Sequence, residues 1–344
     1  MTGIKRLGFL GAGPMALSHA AAAVTLGAEI VAVCTARKDS SNWDEFRKIA
    51  PHARRVTDGG ALLEDAGTDG VVVCLPWDVM PRWAARLMKT PKPVLMEKPI
   101  GFDADEARTQ AEAATTTLGN KLVGYNRRFY ETVTLLRERV EKGGLKAVRV
   151  VISESVESQV ERHGRDIIAH LISFCSAHTF DLMLHVLGPL RPVAMASFPE
   201  KDNAAPFVSF NGMLTTAENV PVTLALNVND PANTGIRCLF DDGTAWELMP
   251  LEILTVYKGL DVEPPTPREN IRRYIPQVEA RHEADASFKP GCHAQMAAFL
   301  SGDYGPGATV DDAVAVLDLI ASLDASAKSW FRDGGGNDRT KLEK

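Results

Sequence analysis

Residues 7–16 read LGFLGAGPMA, an apolar run that breaks at Gly11-Ala12-Gly13 and passes through Pro14 and Met15 into the alanine-rich stretch PMALSHAAAAVTLG. A strand followed by GxGxxA and then a helix is the turn at which a dinucleotide pyrophosphate sits. Gly11 permits the tight turn, Gly13 lets the backbone approach the phosphates, and Ala16 lets the helix pack closely on the strand. The helix N-terminus supplies N–H groups and the positive end of a dipole.

The surrounding sequence repeats the alternation. IKRLGFL, EIVAVC, ARRVT, GVVVCL, PVLMEKP and KLVGYN read as six strands separated by helical stretches, which predicts a parallel, doubly wound α/β sheet. The last of these helices opens at Asp103 with Glu106 three residues on, a capping-box variant. Lys5 and Arg6 before an apolar stretch superficially resemble a secretory leader, but Gly11, Gly13, Pro14 and His19 interrupt its core. No uninterrupted apolar run approaches the roughly 18 residues of a membrane span.

Residues 127–142, RRFYETVTLLRERVEK, read as an amphipathic helix ended by Gly143-Gly144. Longer extended runs follow: AVRVVISESVE, RPVAMASFP, PFVSFNGMLT, VPVTLALNV, GIRCLFDDGTAWEL and ILTVYK. With helices near 176–187, 291–301 and 309–331, they predict an α+β domain built on a large, mostly antiparallel open sheet. The expected division is a dinucleotide-binding domain over 1–125, a substrate-binding and oligomerisation domain over 126–332, and a polar tail over 333–344.

The 344 residues suit about two domains. Forty-four acidic against 38 basic residues leave a formal charge of -6, without the basic excess of a nucleic-acid or anionic-membrane binder. A small-molecule partner is expected, with no nucleic acid and no membrane. The five cysteines, at 34, 74, 175, 238 and 292, are odd in number and show no CxxC pair. They spell neither a disulfide framework nor a zinc knuckle and fit a reducing cytoplasm. At the tip of the second strand, where an NAD-preferring site carries an acid, stand Thr35, Ala36, Arg37 and Lys38. A hydroxyl and two cations suit a 2′-phosphate, so NADP(H) is preferred and NAD(H) is possible.

Met96-Glu97-Lys98-Pro99, then Gly124-Tyr125-Asn126-Arg127-Arg128-Phe129, His178-x-x-Asp181 followed by Leu187-Gly188, and the late helix TVDDAVAVLDLIASLDASAKS carry a family resemblance. Over nearly its whole length the chain resembles the Gfo/Idh/MocA oxidoreductases. The resemblance implies an enzyme that moves hydride between nicotinamide and a carbon of a sugar, cyclitol or similar polyol. It also implies a homodimer or homotetramer formed through the open sheet. Gly70–Trp77 matches the strand and proline turn that border the nicotinamide, so Leu75, Pro76, Trp77 and Glu97 are expected around the cofactor. Lys98, at the carboxyl end of a parallel strand, is expected to polarise the reacting oxygen, and His178 to exchange the proton. Tyr125, Asn126, Arg127 and Asp181 are expected to meet the substrate.

The pattern breaks in LISFCSAH. Many members carry an Asp four residues before the histidine, and here that position is Phe174. The neighbouring stretch SESVESQVERHGRDIIAH holds Arg162, His163, Arg165 and His170, which point to an anionic substrate: a phosphorylated or nucleotide-linked sugar, or a sugar acid. His178, Asp181 and His185 lie on one helical face and offer three metal ligands, but the resembled proteins need no metal and none is expected. The alternatives are an NAD-dependent cyclitol dehydrogenase and a non-catalytic dinucleotide-binding sensor.

Overall fold

The computed structural model describes residues 3–35, 41–113, 120–198 and 209–332. Arg37 and Lys38 lie outside them. The chain forms two compact units, one of Met1–Tyr130, Ser173–Asp181 and Asp285–Asp318, the other of Glu131–Ile172, Leu182–Ala284 and Leu319–Lys344. The first unit therefore recruits two segments from beyond residue 125.

In the first unit, β1 (Arg6–Leu10), β2 (Glu29–Cys34), β3 (Arg54–Val56), β4 (Gly70–Val73), β5 (Val94–Met96) and β6 (Lys121–Val123) form one sheet in the order β3-β2-β1-β4-β5-β6. Every pair is parallel. That order reverses between β1 and β4, and ligands of such sheets bind outside the carboxyl ends at this switch point. The strands read as unbroken apolar runs because helices cover both faces: all four residues of β4 are buried. Between the strands run α1 (Pro14–Thr25), α2 (Ser41–Ile49), α3 (Gly59–Glu64), α4 (Met80–Lys89) and α5 (Ala104–Glu112). Phe9 of β1 meets Phe46 of α2 edge to face at 5.2 Å in the core. At the start of α5, Asp103 accepts from the Glu106 N–H at 2.8 Å, and Glu106 accepts in return from the Phe102 N–H at 2.7 Å. The capping box closes one residue earlier than its usual form.

The second unit opens with α6 (Glu131–Glu141), four residues later than the sequence periodicity predicts. Asn126–Phe129 is a separate 3-10 turn, and the extended backbone of Tyr130 (ψ 132°) divides the two. Strand β7 (Leu145–Glu154) leads into α7 (Val156–His163), whose first turn is capped by Ser155. The stretch holding Arg162, His163 and Arg165 is thus helical up to Gly164 (φ 83°), and Arg165–His170 follows as a 3-10 turn. Leu171–Ser176 makes a π-helical turn that runs into α8 (Ala177–Leu187). Among the described residues Arg165–Leu187 is long and apolar enough to span a membrane by length and composition, and 56% of its most apolar window is buried within the protein.

Strands β8 (Leu190–Phe198), β9 (Ser209–Thr216), β10 (Pro221–Val228), β11 (Gly235–Phe240), β12 (Thr244–Leu248), β13 (Ile253–Glu263) and β14 (Arg273–Glu283) join β7 in an eight-stranded sheet, ordered β14-β13-β12-β11-β7-β10-β9-β8. The β7–β10 pair is parallel and the others antiparallel. Beyond the sheet, α9 (Cys292–Ser301) packs on α1 within the first unit, and α10 (Val310–Arg332) closes the described chain.

Candidate functional site

The site is built from the first unit. At the end of β1, Gly11 holds φ at 105°, a region that favours glycine. A side chain there would also collide with the carbonyl oxygen of Cys74 on the neighbouring strand's extension. Gly13 caps α1 with ordinary extended dihedrals (φ -70°, ψ -178°), and a Cβ built on it meets nothing within 4 Å. The absence of a side chain at Gly13 thus serves something other than the protein's own packing. No side chain caps α1 and no acidic residue stands in its first turn, so this N-terminus suits an anion. Ala16 is fully buried where the helix meets the sheet. Together these features fit a dinucleotide pyrophosphate.

At the tip of β2, Thr35 is buried and accepts from Arg55 Nε at 2.8 Å. Arg55 comes from β3, and its guanidinium carbon lies 5.7 Å from the centre of the Trp43 ring. Sequence reasoning missed Arg55, since a single cation in a three-residue strand carries no spacing signal.

Trp77, in the turn after β4 with Leu75 and the exposed Pro76, is half-buried. It meets Phe102 edge to face at 5.7 Å and Phe174 at 6.0 Å. Beside this aromatic group, Lys98 stands at the carboxyl end of β5, 9% exposed, before a cis peptide to Pro99. Its ammonium donates to the main-chain carbonyl of Phe174 at 2.8 Å and lies 3.2 Å from the centre of the Phe174 ring. Where the resembled family carries a carboxylate, this chain offers a carbonyl dipole and a π face. Phe174 lies in the π-helical turn that precedes α8.

His178, one turn further on, has a buried Nδ1 with no hydrogen-bond partner. Burial first, then the charges of Lys98, Arg127 and Lys289, holds its imidazolium well below the ordinary 6.5. The ring is therefore neutral at pH 7. Tyr125 meets it edge-on at 5.5 Å, and burial together with Asp181 pushes the phenol above its usual range, so Tyr125 keeps its proton. Arg127 donates to Thr179 Oγ1 and Asn126 to the Pro290 carbonyl, each at 2.8 Å.

Asp181, expected to meet the substrate, is fully buried and taken by Arg128 instead. Arg128 Nε lies 3.0 Å from both carboxylate oxygens, and its second nitrogen donates at 2.6 Å. Burial pushes the Asp181 carboxyl up to about 6 against the pull of Arg128. This pair fastens the 126–129 turn to α8, and Asp312 joins it at 3.2 Å.

Lys289 is a second residue that sequence reasoning passed over. It is exposed, its ammonium lies 2.7 Å from Met15 Sδ beside the glycine turn, and its charge acts on His178. Arg162, Arg165 and His170 belong to the second unit, the two arginines exposed and the histidine half-buried. His185, also there, lies 3.4 Å from Arg137 Nη1.

Comparison with known proteins agrees with the fold. Residues 5–125 match the family described as oxidoreductases with an NAD-binding Rossmann fold, GFO_IDH_MocA. An inositol 2-dehydrogenase of Rhizobium meliloti is 27% identical over 199 residues, 56% of this chain and 57% of that protein. The match thus spans little more than half of that relative's length. Among solved structures, the WlbA dehydrogenase from Bordetella pertussis, in complex with NADH and UDP-GlcNAcA, superposes with a TM-score of 0.68 at 15% identity, covering 94% of this chain and 96% of its own. The super-repressor mutant of Gal80p from Saccharomyces cerevisiae gives 0.73 at 14% identity, with the same coverage. These two likenesses show a shared fold.

Proposed function

We propose that this chain, which belongs to the Gfo/Idh/MocA oxidoreductases, is an NADP(H)-dependent enzyme acting on a carbon of a sugar or sugar derivative that carries negative charge. The observation that carries the reading is a lysine and a neutral histidine at the carboxyl ends of a parallel sheet, in the same compact unit as an uncapped glycine turn. NADP(H) held at that turn supplies the hydride acceptor or donor. The first-turn N–H groups of α1 bind the pyrophosphate, and Thr35 with Arg55, joined by Arg37 and Lys38, receives the 2′-phosphate. Trp77, with Leu75 and Pro76 beside it, walls the nicotinamide side.

Lys98 polarises the reacting oxygen and stabilises developing alkoxide charge. The Phe174 carbonyl orients its ammonium. His178, neutral at rest, accepts the hydroxyl proton in the oxidising direction and returns it in the reducing one. Lys98, Arg127 and Lys289 all raise the positive potential around His178, which favours a phosphorylated, nucleotide-linked or acidic sugar. The protein works in the cytoplasm, consistent with five free cysteines. It assembles through its large sheet, where Val193, Met213 and Leu239 are exposed.

Titration with NADPH and NADH, followed by nicotinamide fluorescence, tests the cofactor reading without a substrate. NADPH is expected to bind at least about tenfold tighter, worth about 1.4 kcal/mol. Preference for NADH would overturn the phosphate pocket, and no binding of either would overturn the enzyme. Anionic sugars are then screened for NADPH or NADP turnover, which Lys98→Met must abolish while cofactor binding stays. The replacement of the family carboxylate by Phe174 favours one second reading, a dinucleotide-binding sensor. A chain that binds NADPH and turns over no sugar in that screen would establish it.

A further inference from the structure

Three ligating side chains from three different elements converge beneath the glycine turn. His19 comes from the middle of α1, Cys74 from the residue after β4, and Glu97 from the residue after β5. One ligating atom of each lies within 4.8 Å of the other two. The hydride chemistry proposed above uses none of them as acid, base or donor to substrate. Their surroundings are the core of the Rossmann unit: His19 is 1% exposed and the Glu97 side chain 12%.

The polar groups here are poorly satisfied. His19 Nε2 lies 3.2 Å from Glu97 Oε1, but its Nδ1 is buried with no partner. Across the same place, α9 brings Cys292: burial first and then Glu97 raise its thiol, and Cys292 in turn helps to raise that of Cys74. Gln295, one turn along α9, is fully buried with both amide atoms unpartnered. Orphaned buried polar atoms are rare and call for a ligand or ordered water.

We propose that His19, Cys74 and Glu97 form a site for one Zn²⁺, with a water in the fourth position. The donor set is the first argument. Imidazole, thiolate and carboxylate together suit zinc, whereas magnesium and calcium want oxygen alone and copper(I) wants soft ligands. Geometry is the second. Two ligands at about 2.0 Å from a tetrahedral ion stand about 3.3 Å apart, close to the observed 3.2 Å between His19 and Glu97. The thiol sulfur lies within 4.8 Å of both and need close by at most about 1.3 Å to reach the roughly 3.5 Å of a tetrahedral site. Charge is the third. One carboxylate, one thiolate and a divalent cation sum to zero, the balance a buried site requires. Binding replaces the Cys74 S–H bond by a sulfur–zinc bond and releases one proton to solvent. The ion then ties α1 to the ends of β4 and β5 directly under the dinucleotide turn, as a structural site.

The test uses the full-length chain, stripped with a chelator and titrated with Co²⁺ and then Zn²⁺. The site requires about one Co²⁺ per chain, with a thiolate-to-cobalt charge-transfer band and tetrahedral visible bands that Zn²⁺ abolishes, and release of about one proton. Cys74→Ser and His19→Asn should each weaken binding by at least about tenfold, and Cys238→Ser, whose thiol lies in β11, should not. No uptake, a cobalt spectrum without the thiolate band, or a band that persists in both ligand variants would overturn the proposal. If Cys74→Ser fails to fold by circular dichroism, the wild-type spectrum and His19→Asn decide.

Discussion

Replacing Gly13 by alanine separates a glycine kept for the protein's own geometry from one kept for a ligand. Its dihedrals are open to any residue, and an added Cβ meets no atom within 4 Å. Two small effects on stability oppose each other. Alanine reduces the freedom of the unfolded chain, worth about 0.4–1 kcal/mol in favour of folding. It is also a poorer helix cap than glycine, by about 0.5–1 kcal/mol. The urea midpoint should therefore move by less than the equivalent of about 0.5 kcal/mol. The methyl group would occupy the space through which a pyrophosphate approaches α1. Loss of one charge-assisted hydrogen bond is worth about 1.5–3 kcal/mol, so NADPH affinity should fall about tenfold to a hundredfold. Fluorescence titration and urea melts on the same preparation measure both. NADPH binding within about twofold of wild type would refute the assignment of the pyrophosphate to this turn. Gly11→Ala cannot serve, because φ of 105° and the collision with Cys74 would disturb fold and ligand together.

The other predictions concern charges. Arg128→Met leaves Asp181 buried without its partner and should destabilise the chain by about 3–5 kcal/mol, read as a lowered urea midpoint; a loss below about 1 kcal/mol would mean that the pair is not the anchor described. His178 has a depressed folded-state value, so the unfolded chain binds the proton first and stability falls as pH drops below 6.5. His178→Asn should flatten that limb of the stability–pH curve, whereas an unchanged limb would place its origin elsewhere. Arg55→Ala should weaken NADPH by about tenfold while leaving NADH within about twofold, and a parallel loss of both would deny Arg55 contact with a 2′-phosphate. Phe174→Asp and Phe174→Asn lose the same ring, so their difference isolates one charge: the imidazole proton resonances of His178 should titrate about 1–3 pH units higher in the Asp variant, and coincident titrations would show that position 174 does not act on the histidine electrostatically.

What the sequence disclosed follows from where each signal resides. The first sheet was legible because doubly covered strands such as Val71–Val73 are uninterrupted apolar runs between glycine and proline punctuation. Strand β14 escaped notice because Arg273–Glu283 is an edge strand, exposed along almost its whole length and broken by Pro276. Helix α7 was equally hidden: none of its residues is buried, so no apolar stripe betrays it, and the Ser155 cap was the available clue. In the site, Lys98 and His178 stood in motifs, but the role of Asp181 depended on Arg128, 53 residues earlier. Arg55 and Lys289 had no local pattern at all. Side chains assembled from distant segments are visible only once the sheet has ordered its strands.

Phe174 shows why a missing motif residue is not the same as a missing function. A carboxylate in its place would neutralise Lys98 and favour a proton on His178. The carbonyl and ring found instead hold the ammonium through a dipole and a quadrupole, neither of which carries net charge. The lysine keeps its position and its positive field, and that field is among the causes that keep His178 neutral. Two consequences follow for the proposed reaction. A neutral histidine is ready to take a proton and costs more to leave charged, so proton transfer to it is coupled to the fate of charge elsewhere in the site. In that proposed reaction, a substrate bearing its own negative charge would supply the counter-charge that position 174 does not provide.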